Sequence, residues 1–177
     1  VYMGDNGYMM GDRGMAGKWN HFEQSLRVPM IIYDPRVTKK KAFRTESAMA
    51  LNIDIAPTFL EAAGIDVPDH YQGRSLLTMV QGRKARNWRD DFFCEHLMEN
   101  AKIPKYEGVR GERYVYARYF ENDYEFLHDL KLDPDELVNH AENPEYRRVL
   151  AKMRARCDDL RDEYGGKYVS YVKPKTN

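Results

Sequence analysis

The sequence predicts the end of an α/β domain followed by a smaller α+β subdomain, and three observations carry this. Val28-Pro29-Met30-Ile31-Ile32-Tyr33 is a nearly continuous apolar run closed by Asp34-Pro35, the pattern of a strand buried on both faces of a parallel sheet flanked by helices. From Asp91 onward the hydrophobic period changes to two, which predicts an antiparallel sheet. Between Asn143 and Tyr164 the spacing is helical, so a long C-terminal helix should lie on that sheet.

The elements follow in order. Val1-Tyr2-Met3-Gly4 runs straight into Asp5-Asn6-Gly7, as a strand does when it delivers carboxylate and amide oxygens to a cation. After Gly11-Asp12-Arg13-Gly14 and Gly17 comes Lys18, and a metal and an ammonium can share the charge of one oxyanion. Met49 to Gly64 reads as a short strand feeding a helix, with Asp54 as N-cap, Pro57 in the first turn, Gly64 as stop, and Ile55, Phe59 and Ala62/Ala63 as the buried stripe. The polar run Arg83-Lys84-Ala85-Arg86-Asn87 marks a boundary, giving segments 1–85 and 86–177.

In the second segment, Asp91 to Leu97 reads as a strand with Phe92, Cys94 and His96 on one face. Glu107 to Phe120 alternates as a further strand, Glu121-Asn122-Asp123 turns it, and Tyr124 to Leu130 returns. Asp133-Pro134-Asp135-Glu136 has the residues of a short helix start. The last helix is capped by Asn143 and opened by Pro144, and Gly165-Gly166 ends it. Tyr146, Val149, Leu150, Met153, Cys157, Leu160 and Tyr164 line its buried face, which makes Cys157 a small buried hydrophobe.

Composition narrows the function classes. Lys and Arg number 28 and Asp and Glu 28, so the electrostatic footprint of a dedicated nucleic-acid binder is absent, and Lys39-Lys40-Lys41 reads as a solvated turn. No apolar run approaches the roughly 20 residues of a membrane span. Two cysteines, Cys94 and Cys157, exclude a disulfide scaffold, and no spacing of zinc-site type occurs. The opening on Val1-Tyr2-Met3 suggests a strand cut before its functional end, and hence the C-terminal part of a longer protein.

The run DNGYMMGDRGMAGKWNHFEQSLRVPMIIYDP resembles the second half of the active site of the sulfatase family, within the alkaline-phosphatase-like superfamily. Tyr71-Gln72-Gly73-Arg74-Ser75-Leu76-Leu77 and the Phe126-Leu127-His128-Asp129-Leu130 to Asn139 pattern extend the resemblance over nearly the whole chain. It implies the C-terminal part of a sulfatase domain, in which Asp5 and Asn6 ligate calcium and Lys18 touches the sulfate ester. On the triplet alone Asp5-Asn6-Gly7 reads as a turn; the residues through Pro29 reverse that. Arg13 stands where many relatives carry histidine and is left out of the catalytic set.

His21, three residues after Lys18, is a candidate for a leaving-group or substrate contact, with a structural role behind the site as the other reading. The resemblance brings His96 and Arg110 near the substrate pocket; a packed strand histidine and a cross-strand salt bridge are the plainer readings. The family's nucleophile is a formylglycine made within a Cys/Ser-x-Pro/Ala-x-Arg motif. No such motif occurs here: Asp159 replaces the required Pro or Ala after Cys157, and Cys94 and the serines fit no better. The nucleophile and the remaining calcium ligands are therefore expected upstream, in the N-terminal part of the same protein, and this chain alone should hydrolyse nothing. A sulfated small molecule or glycan is the implied substrate, and a periplasmic, secreted or lysosomal location the implied setting. A phosphodiesterase or phosphonate hydrolase of the same superfamily, and a non-catalytic module, are the other readings.

Overall fold

The computed structural model describes residues 1–38, 43–100, 102–122 and 124–164. Lys39-Lys40-Lys41 and Gly165-Gly166 lie outside them. In chain order the elements are β1 (Tyr2–Met3), β2 (Met9–Met10), β3 (Ala16–Gly17), α1 (Glu23–Leu26), β4 (Met30–Ile31), α2 (Ile55–Ala62), α3 (Leu77–Val80), β5 (Asp91–His96), β6 (Tyr106–Gly111), β7 (Tyr114–Tyr119), β8 (Glu125–Asp129) and α4 (Arg147–Glu163). They form two compact units: one holds Val1–Asp5 with Val28–Asp90, the other Asn6–Arg27 with Asp91 onward. Packing thus groups the residues differently from a single division at 85/86 along the chain.

In the first unit β1 and β4 pair antiparallel, Tyr2 opposite Ile31 and Met3 opposite Met30. The run from Val28 to Tyr33 was expected to be a strand covered on both faces. Only Met30–Ile31 pairs, and Ile31 and Tyr33 are 61% and 80% exposed. The unit is organised around a buried carboxylate instead. Asp54 sits at the N-cap position of α2, yet its side chain caps nothing in that helix. It accepts the Leu51 and Arg74 backbone N–H groups, each at 2.8 Å, and both arms of the Arg89 guanidinium at 2.5 and 2.8 Å. Thr58 ties α2 to α3 by donating to the Asp54 carbonyl at 2.6 Å and accepting the Leu76 N–H at 2.9 Å. Pro57 and Thr58 are the buried residues of α2, and Phe59, expected in its stripe, is 54% exposed.

The second unit is a four-stranded antiparallel meander, β5-β6-β7-β8, with α4 on one face. The alternating run from Glu107 to Phe120 is a hairpin and not one strand. Val109 pairs with Tyr116, and the turn between β6 and β7 shifts the alternation so that an odd and an even residue share a face. Val109, Tyr116 and Leu127 pack on Leu150, Cys157 and Leu160 of α4, with Tyr146, Val149 and Met153 at the margin. This is the stripe that helical spacing predicts. Asn143 accepts the Glu145 N–H at 3.0 Å, satisfying one donor at the helix start. Around the apolar core run ion pairs that fix the helix register: Arg156 with Asp91, Arg154 with Glu125, Arg161 with Glu107, and Arg118 with Asp158 and Glu107.

The short helix expected at Asp133–Glu136 does not form. Glu136 adopts φ 52°, and its carboxyl turns inward. The opposite sheet face carries Tyr106, Ala117 and Tyr119, with Cys94 and Phe126 beside them.

Asp54→Ala is expected to destabilise the chain by about 3–5 kcal/mol, because it leaves the Arg89 guanidinium and two backbone donors without their acceptor. Chemical denaturation checks this, and a change below about 1 kcal/mol is the contrary result.

Candidate active site

The loop from Asn6 to Arg27 is laid down residue by residue. Met9 and Met10 pair with Gly17 and Ala16, making a small hairpin of β2 and β3. Its tip uses left-handed backbone at Gly11, Arg13 and Gly14. Gly17, at φ 103°, turns the chain out of β3 immediately before Lys18, a conformation that side-chain-bearing residues avoid. Gly7 anchors the other end: its N–H donates to the Ser25 carbonyl at 2.9 Å, and a Cβ there would lie 1.9 Å from the Gln24 carbonyl oxygen. Only glycine fits such an approach. Two segments distant in the chain are thereby brought together, and Lys18 Nζ donates to Asn6 Oδ1 at 2.8 Å. The Lys18 ammonium also lies 5.3 Å from the centre of the Trp19 ring.

The following residues fasten the loop to the sheet. Asn20 Oδ1 accepts the Ser25 hydroxyl at 2.7 Å, and its carbonyl accepts the Tyr106 hydroxyl at 3.1 Å. His21 is fully buried, with Nδ1 2.9 Å from the Tyr119 hydroxyl and Nε2 3.2 Å from His128 Nε2. His128 Nδ1 faces the Val138 carbonyl at 3.0 Å, which accepts only. The network therefore assigns the hydrogens: His128 donates from Nδ1 and accepts at Nε2, His21 donates from Nε2, and Tyr119 donates to His21 Nδ1. Both rings are neutral in this arrangement. Burial first, and for His21 the neighbouring His128 second, hold their pKa values below the ordinary histidine range.

Arg110 grips Glu23 through two bonds of 2.9 and 3.0 Å, while the Glu23 N–H donates to the Glu136 carboxyl at 2.8 Å. Burial pushes Glu136 up to about 7. Arg13 is held by Gln24 at 3.0 Å and by the Asp135 carbonyl, with its guanidinium 4.1 Å over the Phe22 ring. His96, at the end of β5, has its ring 5.0 Å from that of Trp19.

The structure thus brings Asn6 and Lys18 into direct contact, and Asp5 precedes Asn6 in the chain. His21 has no accessible surface, and Arg110 is committed to Glu23. Of the other residues at the loop, only Trp19 carries a local signal, as the aromatic beside Lys18; Tyr119 and Glu136 reach the loop through the fold, at His21 and at the Glu23 N–H. Both thiols are unfit as nucleophiles: burial raises Cys94 and pushes Cys157 up to about 12, so neither is a thiolate at neutral pH. Among the described residues no cluster of three or more His, Cys, Asp or Glu could enclose a metal, and no helix is long and apolar enough to cross a membrane.

The family model for the C-terminal part of N-sulphoglucosamine sulphohydrolase matches residues 11–163. The chain belongs to this family. The match takes in Lys18, His21, His96 and Arg110 and begins beyond Asp5 and Asn6. An N-acetylglucosamine-6-O-sulfatase of Bacteroides thetaiotaomicron is 29% identical over 169 residues, covering 93% of this chain and 30% of that protein. Among solved structures, a complex with the substrate D-glucosamine-2-N,6-O-disulfate superposes with a TM-score of 0.86 at 27% identity, over 94% of this chain and 34% of that one. The phosphonate monoester hydrolase of Agrobacterium radiobacter gives 0.80 at 30% identity, over 92% and 34%. Family members of this fold are about three times longer than the segment they share with this chain, which spans roughly a third of each. The fold is accordingly that of the C-terminal part of an alkaline-phosphatase-like sulfatase, as the resemblance implied.

The buried histidines give the loop a pH dependence of known sign. Their folded-state pKa values lie below 6.5, so as pH falls through that value the unfolded chain takes up protons first and stability is lost. Glu136 acts oppositely: raised from 4.5 to about 7, it contributes stability at acid pH that fades as pH rises through 7. The double variant His21→Gln, His128→Gln removes the first contribution and keeps the second. The wild-type melting temperature is expected to drop further between pH 7 and pH 5 than that of the variant, and equal drops are the contrary result.

Proposed function

We propose that this chain supplies the Lys18 side of the active site of a sulfatase that hydrolyses sulfate esters of sugars. The observation that carries the reading is the 2.8 Å contact between Lys18 Nζ and Asn6 Oδ1, in a chain that belongs to a sulfatase family. A positive charge beside hard oxygen donors suits an anionic ester whose oxygens gain charge as the bond to the leaving group breaks.

Asp5 and Asn6 offer a carboxylate and an amide oxygen, which fit part of the oxygen shell of calcium. Since calcium takes six to eight oxygens, the rest of its shell and the nucleophile come in this reading from residues outside the sequence. When bound, the ion supplies Lewis-acid polarisation of the ester oxygens. Lys18 holds the ester oxyanion. His21 and Arg110 serve by position: His21 fastens the loop to Tyr119 and His128, and Arg110 does so through Glu23. His96 is reserved for the sugar. By itself the chain is expected to release no sulfate.

A phosphonate monoester hydrolase is the second reading, favoured by the 30% identity to the Agrobacterium radiobacter enzyme. The same cation and oxygens would receive a phosphonate monoester equally well in charge.

The test is hydrolysis by the intact protein that carries this chain, with a sulfated sugar and a phosphonate monoester assayed side by side. Turnover of the sugar sulfate should dominate, and Lys18→Ala should lower kcat/KM by about 10²–10³-fold, the loss typical for a group that stabilises an oxyanion. Faster phosphonate turnover moves the assignment to the second reading. Full activity in Lys18→Ala removes the site from the account.

A further inference from the structure

The ring of His96 presents a problem that the ester-binding role of Lys18 does not solve. Neither Nδ1 nor Nε2 has a hydrogen-bond partner, and neither reaches solvent. Among the described residues this is the only side chain with two such buried polar atoms. Leaving a buried donor or acceptor unmet is costly, so each case asks for a compensating use. Here the surroundings suggest one. His96 is the last residue of β5, paired in register with Tyr106, whose ring lies 6.5 Å away and nearly parallel. The indole of Trp19 lies 5.0 Å away at 50°, while Trp19 itself is 40% exposed. The residue before it is Lys18, with its ammonium on Asn6. A partly exposed indole, a hydrogen-bonding ring without partners and the ester-binding cation therefore stand side by side on a short stretch of loop and one strand end.

We propose that Trp19 and His96 form the sugar subsite next to Lys18. The indole receives the apolar face of a pyranose ring that carries the sulfate, and its displacement from the resting contact frees a His96 nitrogen to bond a ring hydroxyl. Aromatic side chains bind large flat faces at low conformational cost, and the imidazole adds direction. The orphaned nitrogens of the free protein are explained as groups satisfied only when substrate is bound. This inference rests on the sulfatase reading for the identity of the ester and adds the recognition of its sugar.

The experiment uses the intact protein with two substrates that share the ester and differ in the ring: D-glucosamine-2-N,6-O-disulfate and an open-chain alkyl sulfate. Trp19→Ala is expected to raise the ratio of KM for the sugar to KM for the alkyl sulfate by about tenfold, the equivalent of one stacking contact. Trp19→Phe, which keeps an aromatic face, should restore most of that ratio, and His96→Ala should raise it as Trp19→Ala does. An unchanged ratio in Trp19→Ala, with KM altered equally or not at all, overturns the proposal. A second readout needs no turnover. Intrinsic tryptophan fluorescence of the intact protein should change saturably with the sugar sulfate by an amount that Trp19→Phe alters, and a titration identical in the wild type and in Trp19→Phe overturns the subsite. Absence of sulfate release with a saturable titration would sink the sulfatase reading alone, which keeps the two failures distinct.

Discussion

The arrangement of the second unit depends on a hydrogen-bonded pair of neutral imidazoles. His21 and His128 meet directly at 3.2 Å, and each ring is oriented by a second partner, the Tyr119 hydroxyl at 2.9 Å and the Val138 carbonyl at 3.0 Å. Such a chain tolerates one pattern of hydrogens. If His128 took a proton at Nε2, two N–H groups would face each other across the pair, and a proton on His21 Nδ1 would force the Tyr119 hydroxyl to turn from donor to acceptor, each in a site that cannot solvate the added charge. The pair therefore specifies where the loop sits as well as holding it there. Phe22 and Phe126 close around His21 at ring distances of 4.1 and 4.7 Å and keep the site dry.

From that fixed point the reactive end of the loop follows in a few steps. His21 anchors the segment that begins at Asn20, Asn20 Oδ1 accepts the Phe22 N–H and the Ser25 hydroxyl, and the Ser25 carbonyl holds Gly7. Gly7 adjoins Asn6, which receives Lys18. Each link is a short hydrogen bond or a close backbone approach, so the position of the Lys18 ammonium is inherited from the sheet. The same sheet is loaded on its other face by α4, where apolar packing is bordered by arginine–carboxylate pairs. A sheet filled on both faces is stiff, and a stiff support is what an anion site needs if its donors are to be placed before substrate arrives.

Much of this was legible in the residues, and the failures have identifiable causes. The α4 stripe was plain because helical spacing and its cap are local signals, and the core of Leu150, Cys157 and Leu160 follows from them. Asn6 and Lys18 could be associated by motif, but their contact depends on Gly7 and Gly17, whose steric reasons appear only in three dimensions. Position alone suggested that His21, close to Lys18, touches substrate; its burial is set by residues about a hundred positions away, which no local pattern reports. The Arg110 salt bridge anticipated across strands joins instead to Glu23 in the loop. At Asp133–Glu136 the helix-start chemistry was present, yet tertiary demand for the Glu136 carboxyl at the Glu23 N–H overrode it and placed Glu136 at φ 52°. Val28–Tyr33 has the composition of a covered strand and lies largely open in this chain.

The claim on which the rest stands is the protonation pattern of the histidine pair. Nitrogen-15 NMR of the histidine rings reads it directly, since one-bond and two-bond couplings separate the two tautomers from the doubly protonated ring. The account predicts His21 protonated only at Nε2 and His128 only at Nδ1, both resisting titration as pH is lowered through 6.5. Two rings that titrate together near 6.5, as solvated histidines do, would contradict it and detach the loop from the sheet that is argued to position Lys18.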